Sequence, residues 1–112
     1  MKTLLLGFIF IFWAASISLA VDTQTTLQTV FFQANTFYTQ GQYKPAAEAY
    51  ETVLQAGFAS GNVYFNLGNA YFRNGQAGKA ILNYERARRF LPSDPDLAAN
   101  LQFARSLAGA VG

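Results

Sequence analysis

The sequence predicts an all-α chain built from short antiparallel helical hairpins. Three observations carry this reading. Apolar residues recur at helical spacing from Leu27 to Ala108, the joints between periodic stretches are short and rich in glycine, and the pattern repeats after 34 residues. The 112 residues have room for one domain. With 52% apolar and only 12% charged residues, the chain is expected to fold rather than stay disordered.

Residues 1–20 read as an export signal. Lys2 precedes the apolar run from Leu4 to Ala15, and Ser18 and Ala20 supply the small residues of a cleavage site before Val21. The alternative is an uncleaved membrane anchor, since no charge occurs from Thr3 to Val21. Loss of residues 1–20, which hold one Lys and no acid, leaves 92 residues with a net charge of +1. The expected location is therefore the periplasm, or a membrane tether facing it.

Two helical units follow. In the first, Leu27, Val30, Ala34 and Phe37 form one stripe and Ala46, Tyr50 and Val53 a second. In the next unit the stripes are Val63, Tyr64, Leu67, Gly68 and Tyr71, then Ala80, Tyr84, Ala87 and Leu91. Breaks fall at Gln40-Gly41, at Gly57 to Gly61 and at Asn74-Gly75. Joints this short make the two helices of each unit antiparallel. Five residue pairs stand 34 apart: Val30/Tyr64, Phe37/Tyr71, Gly41/Gly75, Ala46/Ala80 and Tyr50/Tyr84. Asp94-Pro95 then opens a last helix as N-cap and first residue, with Leu97, Leu101, Ala104 and Ala108 as its apolar stripe.

Tyr64, Leu67-Gly68, Tyr71, Gly75, Ala80, Tyr84, Ala87 and Pro92 have the mutual spacing of a tetratricopeptide repeat, which the second unit resembles. It departs at Ala77, where the family often has an aromatic residue. The first unit departs further, with Gln33-Ala34 for the expected Leu-Gly and Phe58 for the closing Pro. The resemblance covers about Thr26 to Ala108. It implies a short right-handed α-solenoid of about two and a half units: unit one about 27–60, unit two about 61–94 and a capping half unit at 95–108. Core contact explains the signature residues, Gly68 and Ala80 being small where helices cross closely.

A narrower resemblance rests on Asn66 to Arg73, Lys79-Ala80-Ile81, Tyr84 to Ala87, Pro92-Ser93-Asp94 and Asn100 to Arg105. These segments are similar to the BatE-type members of the bacterial aerotolerance (Bat) group. That resemblance implies an export signal, repeats and further membrane helices.

The chemistry available is sparse. Absence of Cys and His excludes thiolate and imidazole catalysis, His-ligated haem and zinc-finger sites. Glu48 and Glu51 lie one turn apart with no adjacent base or nucleophile, and solvation accounts for them. Asp94 and Asp96 suit a helix start, where negative charge meets the dipole. Asn62, Asn66 and Asn69 lack calcium-loop spacing. Gly75 to Lys79 lacks the leading Gly and the following Ser or Thr of a phosphate loop. Arg86, Arg88 and Arg89 form the one basic cluster. It is read as offsetting a helix C-terminus, with Glu85 pairing Arg89, or as touching anionic lipid. No catalytic residue, metal, cofactor, small-molecule substrate or nucleic-acid partner is expected.

Partner binding is the expected function. The helical wheel turns Phe31, Asn35 and Tyr38 of unit one away from the partner helix. In unit two it does the same for Asn62, Phe65, Asn69, Phe72 and Arg73. The resemblance implies that this face lines a concave groove for a protein or peptide, in which rings give area and Asn bonds main-chain groups. Family members that clamp a C-terminal carboxylate use two Asn with cations. Asn35 and Asn66 fall at the Asn places, but Phe31, Asp96 and Asn100 stand where cations are needed, so that clamp is not expected. Phe65 and Phe72 are expected to be exposed rings flanking Asn69. Structural packing or self-association within a larger membrane protein is the alternative.

Overall fold

The computed structural model describes residues 25–111. The expected signal segment and its expected cleavage site lie outside the described residues. Within them the chain forms five helices and no strand: α1 over 25–39, α2 Tyr43–Gln55, α3 Gly61–Arg73, α4 Ala77–Phe90 and α5 Pro95–Val111.

The turns show why hairpins form. Gly41 and Gly75 both sit at φ +78°, a region that only glycine enters without strain. Each closes its helix identically. Gly41 N–H donates to Tyr38 O and Gln42 N–H to Phe37 O; Gly75 N–H donates to Phe72 O and Gln76 N–H to Tyr71 O. Last-turn carbonyls are thus satisfied and the chain reverses within three residues. Gly57 ends α2 in the same manner.

Helix starts are set by side chains in two places. The Ser60 hydroxyl accepts Val63 N–H at 3.1 Å. Asp94 Oδ1 accepts the N–H groups of Asp96 at 2.9 Å and Leu97 at 3.0 Å, with Pro95 as the first helical residue. The break expected at Gly57 to Gly61 is one residue shorter, because Gly61 opens α3. A Cβ there would lie 2.6 Å from Leu91 Cγ, so this buried position admits only glycine without a shift of Leu91.

Two linked cores result. Ala34, Ala46, Ala47, Tyr50, Val53, Val63, Leu67 and Ala70 join α1, α2 and α3. Ala80, Tyr84, Ala87, Leu97, Leu101 and Ala104 join α4 and α5. Helix α3 carries both, with Leu67 and Ala70 in the first core and Tyr64, Phe65 and Phe72 against the second. Gly68 permits an equally close approach: its Cβ would meet the Tyr84 ring at 2.6 Å.

Two charge expectations are corrected. Glu85 pairs with Arg88 at 2.7 Å and with Arg105 of α5, rather than with Arg89. The i,i+3 partner and a cation on the adjoining helix hold the carboxylate instead. Glu51 is not simply solvated, since it accepts the Tyr71 hydroxyl at 2.8 Å. These two contacts are repeat equivalents, because Glu51/Glu85 and Tyr71/Arg105 each differ by 34 positions. Among the described residues, no helix is long and apolar enough to cross a membrane.

Candidate partner-binding groove

Helices α1, α3 and α5 lie side by side, joined by asparagine pairs. Asn66 Nδ2 of α3 approaches Asn35 Oδ1 of α1 at 3.4 Å, and Asn100 Nδ2 of α5 donates to Asn69 Oδ1 of α3 at 3.1 Å. A tyrosine hydroxyl from the second helix of each hairpin reaches the same oxygens. Tyr50 donates to Asn35 Oδ1, and Tyr84 donates to Asn69 Oδ1 at 2.6 Å. Every member of the first Asn–Tyr–Asn set recurs 34 residues later.

Both tyrosines are about 1% exposed. Burial pushes the Tyr50 hydroxyl up to about 12 and raises Tyr84 further. Both hydroxyls therefore keep their protons at ordinary pH and serve as fixed donors. With each Oδ1 turned toward its tyrosine, the amide NH2 of Asn35 and of Asn69 carries no hydrogen bond to another described residue.

Two recesses open over these sets. One, of about 210 Å³, is lined by Asn35, Tyr38, Thr39, Tyr50, Asn66 and Asn69. The other, of about 200 Å³, is lined by Tyr38, Asn69, Phe72, Arg73, Tyr84, Asn100 and Phe103. All of these except Tyr38 are the first lining displaced by 34 positions, and Asn69 and Tyr38 belong to both. Arg73 lies over the Tyr43 ring at 4.8 Å, and no carboxylate lines either recess.

Five of the eight sequence-predicted residues meet here: Asn35, Tyr38, Asn69, Phe72 and Arg73. The other three are elsewhere. Phe31 and Asn62 line a larger open recess of about 600 Å³, together with Phe32, Val53 and Phe58, beside the α2–α3 joint. Phe65 is half-buried, its ring 6.0 Å from that of Tyr84, just as Phe31 stands 5.9 Å from Tyr50. The expectation of two exposed rings is therefore corrected. Phe65 leans on Tyr84, and Phe72 is half-buried with its ring 5.6 Å from Phe103. Aromatic side chains of α4 and α5 reach further round α3 than the wheel of a single helix implies.

The spacing marks Tyr50 and Tyr84 as core residues, and Asn66 and Asn100 enter the groove only as positions of a carboxylate clamp that is not expected. The signal was present in the 34-residue spacing shared by Asn35/Asn69, Tyr50/Tyr84 and Asn66/Asn100.

The opposite side holds a recess of about 440 Å³ lined by both signs of charge, among them Lys44, Glu48, Glu51 and Lys79. Two of its charged groups meet Tyr71: Glu51 takes the Tyr71 hydroxyl, and Lys79 stands 5.3 Å from the Tyr71 ring centre. Among the described residues, no three His, Cys, Asp or Glu gather as metal ligands.

Comparison with known proteins agrees with this geometry. Residues 33–95 match the tetratricopeptide repeat family. No curated protein matches the chain. The matched stretch covers more than half of the sequence and runs from within α1 to the first residue of α5, so the chain belongs to the tetratricopeptide repeat family.

Proposed function

We propose that the chain is a non-catalytic, exported scaffold that holds a protein or peptide partner in the groove between α1, α3 and α5. Repeats of this family generally mediate protein–protein interaction. The observation that carries the reading is the recurrence of one recess, with its asparagines and aromatic walls, one repeat apart. A surface that offers the same groups twice along one line suits a ligand that is itself periodic, such as a polypeptide. Asn35, Tyr38, Asn69, Phe72 and Arg73 form its centre. Phe31 and Phe65 support it through Tyr50 and Tyr84, whereas Asn62 lines the separate recess beside the α2–α3 joint.

The apolar run after Lys2 supports export, with the protein periplasmic or tethered at the membrane. The BatE-type resemblance supports the same setting. A second reading, self-association or packing inside a larger membrane protein, is favoured by Phe103 and Leu107 on α5, which are 57% and 42% exposed.

The test is capture by chemical cross-linking in the exporting cell, comparing the native chain with the Asn69→Ala/Arg73→Gln variant. The variant is expected to keep its helicity and lose the partner. Unchanged capture by a folded variant overturns the groove, and capture of the chain's own copies alone favours the second reading. Intact mass of the exported protein is expected to begin at Val21, without Trp13; a product retaining Trp13 establishes an anchor.

A further inference from the structure

Helix α4 carries more positive charge than the fold uses. It holds four cations, Lys79, Arg86, Arg88 and Arg89, against one carboxylate, Glu85. Glu85 is taken by Arg88 and by Arg105 of α5. Arg86 and Arg89 are exposed and have no carboxylate within ion-pair distance among the described residues. The next acids along the chain leave them free as well: Asp94 is spent on the N–H groups that open α5, and Asp96 forms no ion pair.

Apolar side chains share this surface. Leu82, Arg86 and Arg89 advance by four and three residues, so they lie in one stripe along the helix. Phe90 stands beside Arg86 at i+4. Leu82 is 48% exposed and Phe90 51%, although the Phe90 ring also stacks on Tyr64 at 6.0 Å. The stripe points away from Ala80, Tyr84 and Ala87, which are buried toward α3 and α5. It therefore lies on the outer side of the hairpin and not in the groove.

The repeat shows that a helix here does not require these residues. One unit earlier the places of Leu82, Arg86, Arg89 and Phe90 are held by Glu48, Thr52, Gln55 and Ala56. Helix α2 has no basic residue in its last turn and still forms over 13 residues. Offsetting the helix dipole thus does not account for the arginines, and core packing does not account for the exposed Leu82 and Phe90.

Unpaired arginines set among exposed apolar side chains complement a membrane surface. The guanidinium groups meet anionic head groups, while the leucine and the phenylalanine enter the apolar boundary beneath them. An acidic protein surface matches the charge alone. We propose that the outer face of α4, through Leu82, Arg86, Arg89 and Phe90, seats the protein on a bilayer of anionic phospholipid. The groove between α1, α3 and α5 is then left clear of the lipid, and neither surface depends on the other.

The test is sedimentation of the chain, as purified from the exporting cell, with two kinds of vesicle: phosphatidylcholine alone, and equimolar phosphatidylcholine and phosphatidylglycerol. Binding to the anionic vesicles is expected to be at least about tenfold tighter and to weaken as salt is raised. Arg86→Gln/Arg89→Gln should remove that preference and Arg86→Lys/Arg89→Lys keep it, both with unchanged helicity. Leu82→Gln should weaken binding to the anionic vesicles by about fivefold. An apolar segment retained before Val21 adds equally to every variant and cancels in these comparisons. Equal binding to the two vesicles, or none to either, overturns the proposal. So does a folded Arg86→Gln/Arg89→Gln variant that keeps the anionic preference. Anionic binding that is unmoved by Leu82→Gln, or matched by soluble polyglutamate, also overturns it and marks the face as one for an acidic protein.

Discussion

The Tyr84 hydroxyl donates to Asn69 Oδ1 at 2.6 Å, which ties a core residue of α4 to a groove amide of α3. One side chain thus fills the space over Gly68 and sets which end of an amide faces the ligand. Tyr84→Phe keeps the ring and removes only the donor. It is expected to lower stability by about 1 kcal/mol in urea unfolding, with helicity unchanged. Cross-linked partner capture should fall as well, because Asn69 is then free to turn; unchanged capture would show that the tyrosine does not orient the amide.

Gly68 and Gly78 make a matched pair for testing the close approach of α3 and α4. A methyl at Gly68 meets the Tyr84 ring at 2.6 Å, so Gly68→Ala is expected to destabilise by about 1–3 kcal/mol. At Gly78 nothing lies within 4 Å. Gly78→Ala should therefore stabilise α4 by about 0.5–1 kcal/mol through its helical preference. Thermal unfolding of the two variants should move in opposite directions.

Stability should fall at alkaline pH. Burial holds the Tyr50 and Tyr71 hydroxyls up at about 12, against an ordinary value of 10.0, and the Glu51 carboxylate adds to the effect on Tyr71. A raised value means that the folded chain favours the protonated hydroxyl. The contribution is complete below pH 10 and disappears as pH rises through about 12. The urea midpoint should be level near about pH 8 and drop across that window. Tyr71→Phe should make the drop shallower, and an equally steep drop in that variant would refute the assignment.

Asn83 is a buried polar residue with half its amide unused. It is 2% exposed, Nδ2 donates to Lys79 O at 2.8 Å, and Oδ1 has no partner. Its counterpart one repeat earlier is Ala49. Asn83→Ala removes an unsatisfied acceptor and improves helix preference, so stability should hold or rise by up to about 1 kcal/mol. A loss larger than that would mean that Oδ1 serves a group not seen here.

The helices were legible because their causes are local and repeated. Gly41 and Gly75 announce the turns, Asp94-Pro95 announces α5, and the apolar stripes mark the buried faces. The groove was legible only in part. Tyr50 and Tyr84 have core spacing, and nothing in a stripe reveals that a buried ring delivers its hydroxyl to the far side of the hairpin. Phe65 and Phe72 were placed correctly on α3, but their exposure depends on Tyr84 and Phe103, which reach over from other helices. Glu85 shows the same limit: besides Arg88 one turn away it pairs with Arg105 across the α4–α5 joint, and not with Arg89. Where a partner comes from another helix, spacing alone does not name it, although the 34-residue repeat carries the information once one unit is known.

The most direct measurement follows the side-chain amide signals of isotope-labelled full-length chain by nuclear magnetic resonance while the partner captured by cross-linking is added. Asn35, Asn66, Asn69 and Asn100 are expected to shift together, and buried Asn83 to stay in place as the internal reference. If those four signals stay fixed while backbone signals around Phe58 and Asn62 move, the ligand sits in the recess beside the α2–α3 joint and the asparagine groove is not the binding surface.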